Sequence, residues 1–371
     1  MKTTGLLSPA IGPGLALTLG AALALAPLAA AAAPPYVAPR TASGEPDLQG
    51  YWSNSTLTPM TRRPQLGDRL AFTPDEARKL EAEEARQVDV GNKPTDPNAP
   101  VNAPNGLESR PEFVAAGGDV GGYNRGWLDP GHTVMRVAGQ PRTSLITTKN
   151  GQVPPRKDGA ASDFGYGGGG GEGSRGPLGS FDNPENRDTQ ERCLTAIGSP
   201  EGPPMMNTGF NGHYQILQTR NYVTIQVEMN HDVRIIRMGD RTHLPAAIQP
   251  WLGDSVGWWE GDTLVVETTN LNTKGHVYSL GGGFRYSPKT RITERFTRTA
   301  KDQILYEFSV EDPEVFAKPW RAEMPMRTAK GPIYEYACHE GNYSLPNILA
   351  GARVEERDRA AAPPAPTGGA K

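Results

Sequence analysis

Cysteine is nearly absent: the 371 residues contain two, Cys193 and Cys338. Neither lies near the N-terminal apolar run, so an acylated cysteine cannot anchor the chain there. Blocks of basic charge are missing as well. The formal net charge is −3 and Lys and Arg are scattered, which makes nucleic acid and anionic membrane surfaces poor partner candidates. No Gly-x-Ser-x-Gly elbow occurs, which counts against a serine hydrolase of the usual kind. No two histidines stand at His-x-His or His-x-x-x-His spacing, so a metal site would need purely tertiary convergence. Strands do not alternate with helices, which argues against Rossmann and TIM architectures. The glycine run Gly167–Gly171 has no apolar strand before it and no helix after it, so it does not read as a phosphate cradle.

What is abundant is turn-forming residue: 44 glycines and 35 prolines imply many turns and long irregular loops. The N-terminus reads as a secretory signal peptide over residues 1–33. Lys2 supplies the positive start, Leu15 to Ala30 the apolar stretch, and Ala29 to Ala33 the small residues that a signal peptidase accepts. Gly20 and Pro27 interrupt the stretch and no basic stop-transfer cluster follows. The expectation is cleavage, a periplasmic or secreted product, and no stable membrane anchor. In an oxidising compartment the two cysteines either bridge or stay as buried thiols. A bridge would close a long loop and contribute about 4–5 kcal/mol by chain entropy.

Residues 34–130 read as a loop-rich segment with one surface helix. Thr73-Pro74-Asp75-Glu76 has the N-cap, the Pro at the first helical position and the Glu of a capping box, and the helix it opens runs to about Val88. Residues 131–356 read as an antiparallel β domain. A first hairpin is expected from Thr133–Val137 and Thr143–Thr148. A flexible Gly-rich insertion (149–190) follows. Tyr214–Thr219, Tyr222–Met229 and Val233–Met238 form a meander, with Val223, Ile225, Val227 and Met229 on one face. Further strands are expected at Ser255–Trp259, Thr263–Thr269, Arg291–Arg298, Ile304–Val310, Arg321–Met326 and Ile333–His339, then a short helix over Leu345–Val354 and a disordered tail over 357–371. The fold class is therefore all-β: an antiparallel meander barrel, lipocalin-like, or a sandwich, with long Gly/Pro loops and two short peripheral helices. Gly50-Tyr51-Trp52 matches the Gly-x-Trp that opens lipocalin barrels, although a helix follows it closely.

Several blocks stand out together: Pro46 to Trp52, Arg142 to Ile146, Trp251 to Ser255, Trp259-Glu260-Gly261-Asp262-Thr263-Leu264-Val265-Val266, and Tyr334-Glu335-Tyr336-Ala337-Cys338-His339-Glu340-Gly341-Asn342-Tyr343. They resemble a family of secreted bacterial proteins of uncharacterised activity, widespread in soil and aquatic bacteria. The resemblance implies export, and it transfers no catalytic residue.

Two clusters carry chemistry. His213, Glu228, His231 and Asp232 would gather at one end of the meander, where a carboxylate beside a histidine suits general base work. Asn230-His231-Asp232 is equally an ordinary turn. Tyr336, His339 and Glu340 form the second cluster. On a strand, His339 would face away from Cys338 and could line a cavity. The two clusters are expected to face each other across one pocket. A three-histidine metal site from His213, His231 and His339 is a minor variant, and no organic cofactor is expected. Trp251, Trp258, Trp259 and Trp320 are ordinarily core or rim aromatics, but an aromatic-lined cavity would suit a small hydrophobic or aromatic molecule. Arg142 reads as half of a buried salt bridge. The leading expectation is a cofactor-independent lyase, isomerase or hydrolase acting on such a molecule. A small-ligand carrier without catalysis and an envelope interaction protein are the other two readings.

Overall fold

The computed structural model describes residues 36–91, 129, 131–157, 181–187, 189–196, 200–207, 209–273, 277–278 and 284–361. The expected signal peptide, the glycine run and most of the Gly-rich insertion lie outside these residues, as does the tail from 362.

Nine strands close into a barrel in the spatial order β1-β13-β12-β11-β8-β7-β6-β5-β4. They are β1 (Gly50–Ser53), β4 (His213–Gln218), β5 (Tyr222–Val227), β6 (Val233–Met238), β7 (Asp254–Glu260), β8 (Thr263–Thr269), β11 (Arg291–Ala300), β12 (Gln303–Glu311) and β13 (Trp320–Thr328). Two small hairpins stand apart from the barrel: β2 (Arg136–Val137) with β3 (Gln140–Pro141), and β9 (Val277–Tyr278) with β10 (Phe284–Arg285). The barrel alternative to a sandwich is therefore the right one. The period-2 pattern explains its walls. Val223, Ile225 and Val227 on β5, and Ile304, Tyr306, Phe308 and Val310 on β12, are all buried in one core cluster.

One pair departs from the expected antiparallel meander. β6 and β7 run parallel, with Ile236 opposite Ser255 and Met238 opposite Gly257. Their connection, residues 239–253, has the length of about a dozen residues or more that a parallel link needs. His243 and Asn270 fasten it. His243 places Nδ1 2.8 Å from Asp254 and Nε2 3.1 Å from Glu267, and Asn270 Nδ2 donates to the carbonyls of Leu244, Pro245 and Ile248.

Three further expectations are corrected. β1 is a barrel strand despite the helix after it. It closes the barrel between β13 and β4, with Trp52 opposite both Thr328 and Tyr214. Ile333–His339 is not a strand. A closed barrel leaves no free edge for it to pair with, and it instead lies along the outside. Residues 143–148 belong to no hairpin. Leu145 and Ile146 are both buried in the core, and the segment pairs along the part of the β13 edge that β1 leaves uncovered, with Ile146 opposite Ala322 and Glu323 N donating to Leu145 O. The salt bridge expected of Arg142 is there, 2.7 Å to Glu323, with both side chains largely buried. The start of the presumed flexible insertion is also packed: Val153 is buried and Lys157 N donates to Val315 O.

The helices are longer than expected. α1 (Pro74–Gly91) opens with the reciprocal capping box, Glu76 N donating to Thr73 Oγ1 and Thr73 N to a Glu76 oxygen. α2 (Ser344–Ala361) runs through 357–361. The good helix formers there and the Arg353–Glu356 and Glu355–Arg359 pairs carry it on.

Candidate functional site

The two ends of the barrel differ. β4, β6 and β13 begin, and β1, β5 and β12 finish, at one end. There the segment 200–207 fills the interior. Met205 and Met206 are buried, and Met205 N donates to the Tyr306 hydroxyl at 2.9 Å. Tyr306 in turn donates to Glu294 at 2.7 Å. Glu294 receives Arg234 through both oxygens, at 3.0 and 2.6 Å, and the two side chains are at most 1% exposed. Tyr214 donates to Pro200 O and accepts from Asn54 Nδ2. Glu201 is wholly enclosed, and burial pushes its carboxyl up to about 8, with Asp232 adding to the effect.

This internal polar network is absent from the sequence-derived candidates. The signal was present: Glu294 stands in phase with Ile292 and Phe296, and Arg234 in phase with Ile236. A charge at an inward position of an alternating strand must find a partner inside.

The expected histidine–carboxylate cluster lies on the outside of this plugged end. His213 Nδ1 is 3.5 Å from Glu228 Oε2. Glu228 is buried and accepts from Asn211 Nδ2 at 2.9 Å and from Tyr334 N at 3.3 Å. The Glu228 carboxylate raises the pKa of His213 against the opposing effect of burial, and Asp129 adds to the rise. Burial raises Glu228, but His213 and Asn211 outweigh it and leave the carboxyl below its usual value. Asp232 is half-buried and its carboxyl is raised by burial. His231 is exposed, and it and Asn230 adopt left-handed backbone at φ 41° and 63°, so the turn reading holds for their conformation.

The second cluster reaches the same end along the outside. Gly331 lies flat on Tyr51; a Cβ there would come within 2.6 Å of the ring. The chain then passes Glu228 at Tyr334 and is tied down by a Cys193–Cys338 disulfide. Asn342 Nδ2 donates to Glu191 O. Tyr336 is half-buried, whereas His339 and Glu340 are exposed. The structure thus brings His213 and Glu228 into contact, while His231 and His339 point to solvent. Among the described residues no three His, Cys, Asp or Glu side chains converge as a metal ion requires, so the three-histidine site is not formed.

The opposite end is different in kind. A cavity of about 280 Å³ opens there, beneath the loop that joins Arg40 to Pro46. Val223, Met238 and Trp259 form its apolar wall, with Trp258 at the edge. Trp259 is half-buried against the core. Gly257 makes the wall possible, because a Cβ there would meet Ile236 and Met238 at 2.8 Å. Thr41, Ser43, Glu45 and Arg220 form the rim. Gln218 also lines the cavity but is committed to the loop, accepting from Leu48 N and donating to Pro46 O. The fold and site define a β-barrel plugged at one end and hollow at the other. Comparison of the chain with known protein families, curated proteins and solved structures gives no match.

Proposed function

We propose that this is an exported barrel that binds a small, partly aromatic molecule in the mouth walled by Val223, Met238 and Trp259. The supporting observation is the placement of the cavity: it sits at the end left unplugged, with an inward-facing indole as its wall. A volume of about 280 Å³ is at the small end for ligand sites and suits a single-ring compound. The disulfide favours export, since such bonds persist in oxidising compartments. Replacing Trp259 by Ala is expected to weaken binding of a single-ring compound at least tenfold without unfolding the barrel. Unchanged affinity would remove the reading.

A second reading is supported by His213 and Glu228. A buried carboxylate, fixed by Asn211 and Tyr334, beside a half-exposed histidine with a raised pKa is a general acid–base pair in form. On this reading the protein is a cofactor-independent lyase, isomerase or hydrolase, and His213→Ala abolishes turnover while Trp259→Ala need not. The exposed positions of His231 and His339 favour the binding reading over this one.

A further inference from the structure

We propose that the ligand of the barrel mouth is a small aromatic carboxylate, held by the guanidinium of Arg220. This deepens the binding reading and rests on it.

The wall supplies the aromatic half. Trp259 and Trp258 present indole surface beside Val223 and Met238. Flat rings pack on such surfaces in offset or edge-on arrangements worth about 0.5–1.5 kcal/mol beyond the area they bury. The rim supplies the charge. Arg220 occupies the turn between β4 and β5, where Thr219 N donates to Tyr222 O. Its side chain lines the cavity. Among the described residues it makes no hydrogen bond to a carboxylate, so its donors are available for a planar two-oxygen partner. Arg241 lies 4.0 Å above the ring of Trp258 but is not among the residues lining the cavity, and its charge acts on Glu260.

The rim carboxylates are already committed. Asp262 is paired with Arg40 at 2.6 Å and Glu260 with Arg295 at 2.9 Å. Glu45 is the nearest competitor, since it feels the charge of Arg220. However, its oxygens are engaged by the hydroxyls of Ser43 and Thr41. Arg220 is thus the one guanidinium among the cavity-lining residues, and Glu45, the carboxylate that lines the cavity with it, is held by hydroxyls rather than by the Arg220 fork. A neutral ligand would leave that fork unused, and a carboxylate fills it with two oxygens.

The test uses three ring compounds of one size: benzoate, benzamide and benzylamine. Each is titrated into the purified protein while the indole N–H resonances are followed by NMR at low salt. Benzoate is expected to bind at least tenfold more tightly than benzamide, and benzylamine more weakly than either. Arg220→Gln should bring benzoate down to the benzamide level, and Arg241→Gln, outside the cavity, should keep the preference for benzoate. Equal affinity for benzoate and benzamide, tighter binding of benzylamine, or an Arg220→Gln protein that keeps its preference would each overturn the carboxylate assignment and leave the cavity reading standing. If none of the three compounds shifts any indole resonance, both the assignment and the cavity reading fall.

Discussion

At the end where β4, β6 and β13 begin, the barrel is filled by its own chain. Segment 200–207 enters it, Met205 caps Tyr306, and the Arg234–Glu294 pair sits beneath without solvent. At the end where β4 and β6 finish, the loop from Arg40 to Pro46 covers the interior, and a cavity remains under it. The first end spends buried polar groups on fixing a plug. The second keeps apolar surface open beside the guanidinium of Arg220. The difference separates structure from function within one barrel: substitutions at the plugged end are expected to act on stability, and those at the open end on binding.

The largest expected effect is at the plugged end. Glu294→Ala leaves Arg234 enclosed without its carboxylate and should destabilise by about 3–5 kcal/mol in urea unfolding. A replacement of both residues by apolar ones of similar volume should recover most of that loss. A cost under about 1 kcal/mol for Glu294→Ala would mean that water reaches the pair and that this end is not plugged.

Removal of the disulfide comes next. Cys193 and Cys338 are 145 residues apart, and a loop of that length approaches about 5 kcal/mol in the chain-entropy limit, with about 2–4 typical of measurement. Since the bridge holds the outer segment 329–342 against the plugged end, reduction should lower the melting temperature there and leave ligand affinity at the open end almost unchanged.

Glu201 gives a pH-dependent difference. Its folded pKa of about 8 lies above the ordinary value of 4.5. Below pH 4.5 the carboxyl is protonated in both states and nothing is lost. As pH rises towards 8 the unfolded chain ionises and the folded one does not, so stability falls, and it levels off above that. Glu201→Gln should therefore be more stable than the parent by an amount that grows across this window to about 4–5 kcal/mol. His213 behaves in the opposite order along the pH axis. Its raised pKa contributes stability that is complete below the unfolded value and lost as pH climbs through the folded one. With a third of the side chain exposed, the term should stay under about 1 kcal/mol, and His213→Asn should flatten it.

The walls of the barrel were legible from alternation alone, because each strand is buried on one face: Val233–Met238 and Thr263–Thr269 match their expected limits. Order and closure were not legible in this way. The parallel pairing of β6 with β7 depends on where a long connection returns, and β1 is too short, at four residues, to show a period. Ile333–His339 has strand-like composition but met a barrel with no edge to offer it. The His213–Glu228 contact was legible since a hairpin end places the two side by side. The cavity was not, although Trp258 and Trp259 were recognised as rim or core aromatics: its residues come from the loop before β1 and from β4, β5, β6 and β7, and only closure brings them together.

The indole N–H resonances test the contrast between the two ends most directly. Among the six tryptophans, Trp258 and Trp259 line the open mouth, while Trp52 and Trp320 are buried, with Trp52 bonded to Leu48 O. With each resonance assigned by a Trp→Phe substitution, titration with benzoate should shift Trp259 and Trp258 in parallel and leave Trp52 and Trp320 in place. Shifts confined to Trp52 or Trp320, or no shift at Trp259 at saturating ligand, would contradict the placement of the site at the open end.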